Sequence, residues 1–340
     1  MYTHIGIDLG ASTIAVSTPG VGILSVSRAP ALFEAGEYPN AGSEALQGHG
    51  SVGEGSVIAP VFRDNIVIPG DTSAILREVL AREGVAPAAT LLLGIPCSFS
   101  EVEESALVEM ALGEGAGAAH LVYSPLAALV GNGLDPGMPA IVVDVGASRT
   151  DILVMARGRI VYKKTHRVGG IDFDAAIVQY VRDEHKVAIA GETAERVKSA
   201  VGTVWIGDEK RAIEVSGRDI KNGDYCTVRI VSEEMFTALE EPTAALIEGI
   251  CTAMTRIPPD LVREIFDTGI LLSGGTALLE GLDKMISGVT GVNATRMNDP
   301  IHTVAVGLSR LAAEIELCNT ANGNITRHIM KAAAEGAGGK

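Results

Sequence analysis

Two apolar strands in this chain run into the same five-residue pattern, an aspartate, one spacer and then Gly-Ala-Ser. The first copy is IGIDLGAST, with Asp8, Gly10, Ala11, Ser12 and Thr13. The second is IVVDVGASRTDI, with Asp144, Gly146, Ala147 and Ser148. A third relative, GILLSGGTALL, carries Gly274 and Gly275 and has no acid. Internal repetition of this kind implies two like halves facing one another across a cleft, not a solenoid.

Each copy continues into β-type residues, IAVS after the first and ILVM after the second, which predicts a β-hairpin with a tight turn. Glycine lets such a turn approach a ligand closely, and successive backbone N–H groups there can form an anion-binding nest. The hydroxyls of Ser12, Thr13, Ser148 and Thr150 add donors. The two aspartates repel phosphate but suit a hydrated Mg²⁺, which prefers oxygen and keeps several waters. Two such hairpins would clamp a nucleoside triphosphate tail from both sides. One copy alone reads equally well as an ordinary hairpin with an Asp-Gly turn; two copies plus the Gly-Gly turn favour the clamp. Neither copy is a GxxxxGK[ST] loop, and no GxGxxG follows a strand.

The 340 residues suffice for two domains. A formal net charge of −15 excludes non-specific nucleic-acid binding, which needs lysine and arginine, and weighs against adsorption to anionic lipid. Cys97, Cys226, Cys251 and Cys318 are far apart without CxxC spacing, as expected for free thiols in a reduced, cytoplasmic compartment. The start, MYTHIGIDLG, enters a strand at once, so no signal peptide is expected. No apolar run reaches the roughly 18–20 residues that span a bilayer. The histidines show no metal spacing, and His166 in RIVYKKTHRV is expected to face solvent.

Strands are predicted at 3–8, 12–18, 90–95, 140–145, 151–156, 159–168 and 268–273. Helices are predicted at 72–83, from Ser100 with Glu103 at capping-box spacing, and at about 172–185, 192–201, 232–256, 276–287 and 300–316. Asp299 would cap the last, with Pro300 in its first turn. Strands with intervening helices make the class α/β.

Several segments together resemble the actin-like ATPase superfamily, and within it the MreB-type bacterial actins, magnetosome-type relatives included. IGIDLGAST is similar to the family's first phosphate loop and IVVDVGASRTDI, followed by VGGIDFDAAIVQYVR, to its second. PVFRDNIVIP, AGETAERVKSAVGTVW, EVSGRDIKNGD, GILLSGGTALLEGLDKMI and MNDPIHTVAVGLSRL resemble further family segments in order. The likeness covers about residues 3–316 and is weaker between 25 and 90.

The resemblance implies an actin-like two-domain fold, with duplicated mixed-sheet halves around a nucleotide cleft and a smaller outer subdomain on each half. The halves would be 1–142, with outer subdomain about 27–58, and 143–316, with outer subdomain about 177–243; 317–340 would be a C-terminal tail. ATP and Mg²⁺ are the implied cofactors. Asp8 and Asp144 would organise Mg²⁺ through water. Gly10, Ala11, Ser12 and Thr13 would contact phosphate from one side and Gly146, Ala147 and Ser148 from the other, with Gly169 and Gly170 near phosphate or ribose. Glu195 and Lys198 would hold ribose and adenine; their spacing puts both on one helical face, though a solvated ion pair has the same spacing. Gly274, Gly275, Thr276 and Ala277 would close over the adenosine.

Two departures bear on hydrolysis. Where the family has a glutamate before proline, thought to position the attacking water, this chain reads LVYSPLAALVGNG, with Ser124 beside Pro125. A serine hydroxyl can hold a water but is no carboxylate base, and losing a water-positioning group costs orders of magnitude in phosphoryl transfer. The second loop has GASRT where the family usually has GGGTT. Arg149 there either reaches a γ-phosphate or, the favoured reading, points outward from the hairpin. The implied functions are a self-associating cytoskeletal filament for cell shape or intracellular positioning, with slow hydrolysis and a membrane or membrane-protein partner, or a monomeric ATP-binding scaffold. A small-molecule kinase is the least favoured.

Overall fold

The first Asp-x-Gly-Ala-Ser copy forms its hairpin. β1 (Tyr2–Leu9) and β2 (Thr13–Thr18) pair antiparallel, Asp8 opposite Ala15 and Leu9 opposite Ile14. The structure, a computed structural model, describes residues 1–28, 62–63, 66–67, 69–82, 84–207 and 210–320. β3 (Gly22–Arg28) extends the hairpin. A two-residue pair follows, β4 (Phe62–Arg63) with β5 (Ile66–Val67), then α1 (Pro69–Ala81). β6 (Val85–Ile95) returns parallel to β1. α2 (Glu101–Gly113) leads to β7 (Ala118–Tyr123), parallel to β6, and α3 (Ser124–Gly131) follows directly. α2 starts with the predicted capping box: the Ser100 N–H donates to the Glu103 carboxylate at 2.8 Å and the Glu103 N–H to Ser100 Oγ at 3.4 Å.

The second half opens with β8 (Ala140–Val145), β9 (Thr150–Ala156) and β10 (Arg159–His166), then α4 (Gly170–Tyr180). β11 (Val187–Ala188), α5 (Gly191–Val201), β12 (Ala212–Asp219) and β13 (Tyr225–Val231) come next. α6 (Ser232–Ala238), α7 (Glu240–Met254) and α8 (Val262–Thr268) lead to β14 (Ile270–Ser273). α9 (Leu282–Thr290), β15 (Ala294–Arg296) and α10 (Thr303–Thr320) complete the described chain.

The repeat seen in five residues extends to whole sheets. The first has strand order β3-β2-β1-β6-β7 and the second β10-β9-β8-β14-β15. In both, the hairpin partners are antiparallel and the two returning strands parallel. The central strands of the second sheet are buried on both faces: Ile141, Val142 and Val143 of β8 and Ile152, Leu153 and Val154 of β9 are fully buried. The three-stranded sheet β11-β12-β13 lies within 177–243. Residues 29–58 of the expected first outer subdomain, and 321–340 of the tail, lie outside the described residues.

A core shared by both halves joins them. Leu92 and Val122 of the first sheet, Val142 and Leu153 of the second, and Leu126, Leu129, Leu308 and Leu311 of α3 and α10 form one buried cluster. The two helices meet at backbone distance. A Cβ on Gly307 would overlap the Ala127 carbonyl oxygen and stand 2.9 Å from the Gly131 nitrogen. No larger residue fits that crossing.

Four predicted helices need correction. The segment 232–256 breaks at Leu239, because Pro242 in the first turn of α7 has no N–H to continue a bond to Ala238. The segment 276–287 divides into a 3₁₀ turn at Gly275–Leu278 and α9, separated by Gly281 at φ 75°. The segment 172–185 ends as α-helix at Tyr180 and closes in a π turn at Val181–His185. The last helix starts at Thr303, not 300, after a turn in which Asp299 has φ 45° and accepts the Thr303 N–H at its carbonyl.

Candidate functional site

The two hairpins bring Asp8 and Asp144 into one electrostatic cluster. Asp8 sits at the end of β1, beside Gly94 on β6; Asp144 holds the matching place on β8, beside Ser273 on β14. Burial raises the Asp8 carboxyl from 3.8 to about 6, opposed by Arg149 and His302. Burial also raises Asp144, to about 7, reinforced by the Asp8 and Asp151 carboxylates and opposed by Ser273 and Arg149. Both carboxyls are held as poorly solvated charges, which a bound cation would stabilise. Among the described residues no group of three or more His, Cys, Asp or Glu forms a metal cage. Two carboxylates suit a hydrated cation that keeps waters and takes its other oxygens from a ligand, as Mg²⁺ commonly does with phosphates.

The second loop is pinned from several sides. The Gly146 N–H donates to the Arg149 carbonyl at 2.9 Å, closing the turn. The N–H groups of Gly170 and Ile171 donate to the Gly146 and Ala147 carbonyls at 2.9 and 2.8 Å. The Thr276 hydroxyl also reaches the Gly146 carbonyl, at 2.9 Å. At Gly169 a Cβ would stand 2.5 Å from the Arg149 nitrogen, so only glycine lets α4 begin this close to the loop. Gly274, at φ 86°, places its α-carbon against Val145 in the same way. Gly146, Ala147, Gly169, Gly170, Gly274, Thr276 and Ala277 thus form one continuous wall. In the first loop a Cβ on Gly10 would overlap the Thr13 carbonyl; Gly10, Ala11, Ser12 and Thr13 form its turn.

Lys198 on α5 donates from Nζ to the Gly170 carbonyl at 2.9 Å and pairs with Asp174 of α4 at 2.8 Å. The Lys198–Asp174 pair ties the two helices beside the Gly169–Gly170 turn. Asp174 was not legible in the sequence, since a tertiary contact leaves no spacing signal. Glu195 lies near enough to raise the proton affinity of Asp174, whose carboxyl is raised first by burial and lowered by Lys198.

Ser124 is 5% exposed, and its hydroxyl donates to the Ile95 carbonyl at 3.3 Å. A Cβ on Gly94 would lie 3.4 Å from Ser124 Oγ and 3.5 Å from Asp8 Oδ1, which puts Ser124 close to Asp8. Beside it, Tyr123 bridges the halves. Its hydroxyl donates to Glu104 at 3.2 Å and accepts from Lys163 Nζ of β10, whose ammonium stands 4.0 Å from the ring centroid.

Arg149 does not point outward. Its side chain is 11% exposed, with Nε 3.3 Å from Asp151 Oδ2. Asp151, absent from the sequence reading, accepts the Cys97 N–H from the first half at 2.8 Å and the Thr165 hydroxyl. His166 is half-buried rather than solvent-facing: its ring packs on α7, where a Cβ on Gly249 would meet it at 3.0 Å.

A family model described as MreB/Mbl protein matches residues 2–320. The chain is 30% identical to the cell shape-determining protein MreB of Escherichia coli K12 over 326 residues, 92% of this chain and 94% of that protein. This chain belongs to the MreB/Mbl family. It is also 30% identical to the cell shape-determining protein Mbl of Bacillus subtilis, over 89% of this chain and 93% of that one. Its fold is actin-like. The ADP-bound crystal structure of Spiroplasma citri MreB5 superposes with a TM-score of 0.84 at 24% identity, covering 94% of this chain and 98% of that one. A MamK double helical filament superposes with a TM-score of 0.66 at 19% identity, over 91% and 98%. Among the described residues no helix of this MreB/Mbl-family chain is long and apolar enough to cross a membrane.

Proposed function

We propose that this chain is a nucleotide-binding bacterial actin homologue that assembles ATP-dependent cytoskeletal filaments for cell shape or intracellular positioning. The observation that carries this reading is the convergence of Asp8 and Asp144 from duplicated hairpins into one cleft of raised carboxyl proton affinity. The family relatives named for cell-shape determination, and the nucleotide-bound and filamentous neighbours, support it.

In this reading Gly10–Thr13 and Gly146–Ser148 hold the phosphates from opposite sides. Asp8 and Asp144 orient a hydrated Mg²⁺, which neutralises phosphate charge when bound. Gly169, Gly170, Glu195, Lys198 and Gly274–Ala277 face the nucleoside, with Asp174 fixing the Lys198 side chain. Hydrolysis is slow, because Ser124 gives its hydroxyl to a backbone carbonyl and has no carboxylate with which to orient water. ATP across the cleft biases the two halves toward one closed arrangement, and head-to-tail contacts between copies do not close, so a filament grows. A net charge of −15 weighs against general adsorption to anionic lipid, so association with a membrane would use a local apolar loop or a membrane-protein partner.

Negative-stain electron microscopy of the full chain with Mg²⁺, with and without ATP, tests this. Filaments that need ATP are the expected result. Persistent monomers with ATP bound, across salt and protein concentration, would replace the filament reading with that of a monomeric ATP-binding scaffold.

A further inference from the structure

The second hairpin carries a cation that the first does not. The turns close on equivalent pairs, Leu9 with Ile14 and Val145 with Thr150, so Thr13 and Arg149 occupy matching places in the two copies. A residue at the tip of a hairpin normally points to water. Here the guanidinium is drawn inward and its Nε is fixed on Asp151. Asp151 is itself anchored from both halves, by the Cys97 N–H two residues past β6 and by the Thr165 hydroxyl on β10. The backbone of Arg149 is equally constrained, by the Gly146 bond to its carbonyl and by the approach of Gly169 to its nitrogen.

Neutralising Asp151 does not by itself require an arginine. That carboxylate already accepts two hydrogen bonds, and it stands directly opposite Asp144 in the β8–β9 register. Asp8 and Asp144 both lie within electrostatic reach of the Arg149 guanidinium, whose Nε pairs with Asp151, so a cation bound by Asp8 and Asp144 would draw the phosphates of a ligand to the same place. The planar fork of arginine matches two oxygens of one phosphate group.

We infer that Arg149 is a specificity-determining residue of the candidate nucleotide site: a guanidinium positioned by Asp151 that reads the terminal phosphate of a nucleoside triphosphate and separates it from the diphosphate. This rests on the nucleotide-binding reading above. Arg149 lies within electrostatic reach of the two carboxylates assigned to Mg²⁺, where the phosphate charge of a bound nucleotide would be concentrated. With Ser124 where a carboxylate would orient water, the cleft has gained a charge that holds the triphosphate and lost the group that spends it. Such a site retains ATP as a structural ligand.

The test is isothermal titration calorimetry of the full chain with ATP and with ADP, each with Mg²⁺, for the wild type, Arg149→Met and Arg149→Lys. Arg149→Met lowers ATP affinity relative to ADP affinity by roughly tenfold or more, the scale of a charge-assisted hydrogen bond, and Arg149→Lys falls between. An unchanged ATP-to-ADP ratio overturns the inference while leaving nucleotide binding intact. If circular dichroism shows Arg149→Met unfolded, Arg149→Lys decides on the same ratio. A purely structural role is detected by Arg149→Met combined with Asp151→Asn, which removes the pair together: return of the wild-type ratio overturns the inference, and continued loss upholds it. A wild type that binds neither nucleotide removes the proposed function as well.

Discussion

Replacing Asp144 with asparagine stabilises the nucleotide-free chain at high pH. Burial and the neighbouring carboxylates raise Asp144 from 3.8 to about 7. A carboxyl raised in the folded state binds more protons there than in the unfolded chain, so its contribution to stability is intact below 3.8 and is lost as pH rises through about 7. At pH 8 the full penalty is about 4 kcal/mol, at about 1.4 kcal/mol per tenfold change in proton affinity, and at pH 4.5 only about 1 kcal/mol of it has appeared. Asp144→Asn keeps an acceptor for Ser273 and removes the charge. The gain on substitution is therefore about 3 kcal/mol larger at pH 8 than at pH 4.5. Urea denaturation in the presence of a chelator, at both pH values, measures it. A variant less stable than wild type at pH 8, or a difference that does not vary with pH, would refute the view that Asp144 is a destabilised carboxylate held for a ligand.

Other consequences are equally direct. Gly307→Leu forces α3 and α10 apart where a Cβ already meets Ala127, and lowers the urea-derived stability by about 1–3 kcal/mol or more. Ser124→Glu restores a carboxylate close to Asp8 and raises ATP turnover at least tenfold in a phosphate-release assay; unchanged turnover would remove Ser124 as the cause of slow hydrolysis. Trp205, the single tryptophan, packs over Gly281 and within 3.8 Å of the Cβ position of Gly288 in α9. Because α9 follows the Gly275–Leu278 turn assigned to the nucleoside, the tryptophan emission is expected to shift on addition of Mg²⁺ and ATP, and a spectrum indifferent to ATP would uncouple α9 from the site.

What the sequence showed and what it hid divide along the range of the interactions. Asp8, Asp144 and their glycine loops were legible because a tight turn after an apolar strand is written in consecutive residues. The capping box at Ser100 was legible for the same reason. The breaks in the helices were partly written too: Pro242 and Gly281 mark them, but the apolar periodicity on either side masks the interruption. β12 carries a short strand signal of its own, the alternation of Ile213 and Val215 with Glu214 and Ser216.

The outward expectation for Arg149 fails because a hairpin tip is exposed in isolation, whereas here Asp151, two residues on, draws the guanidinium inward. Asp151, Asp174 and Lys163 had no signature, since each acquires its partner from an element tens of residues away: Cys97 for Asp151, Lys198 for Asp174 and Tyr123 for Lys163. His166 looked like a strand residue facing water until α7 packed over it. Local chemistry was in the sequence, and the electrostatics that tune it depend on how the halves meet.

The central claim is that Asp8 and Asp144, brought together by two copies of one hairpin, build a Mg²⁺-dependent nucleotide site. Equilibrium dialysis of the full chain against labelled ATP, with Mg²⁺ and with chelator, for the wild type and the Asp8→Asn/Asp144→Asn double variant, tests it most directly. The account predicts saturable binding to one site per chain that requires Mg²⁺ and weakens at least tenfold in the double variant, while the variant's folded stability at pH 8 rises. ATP binding that is absent in the wild type, or that is indifferent to both Mg²⁺ and the two substitutions, would contradict it.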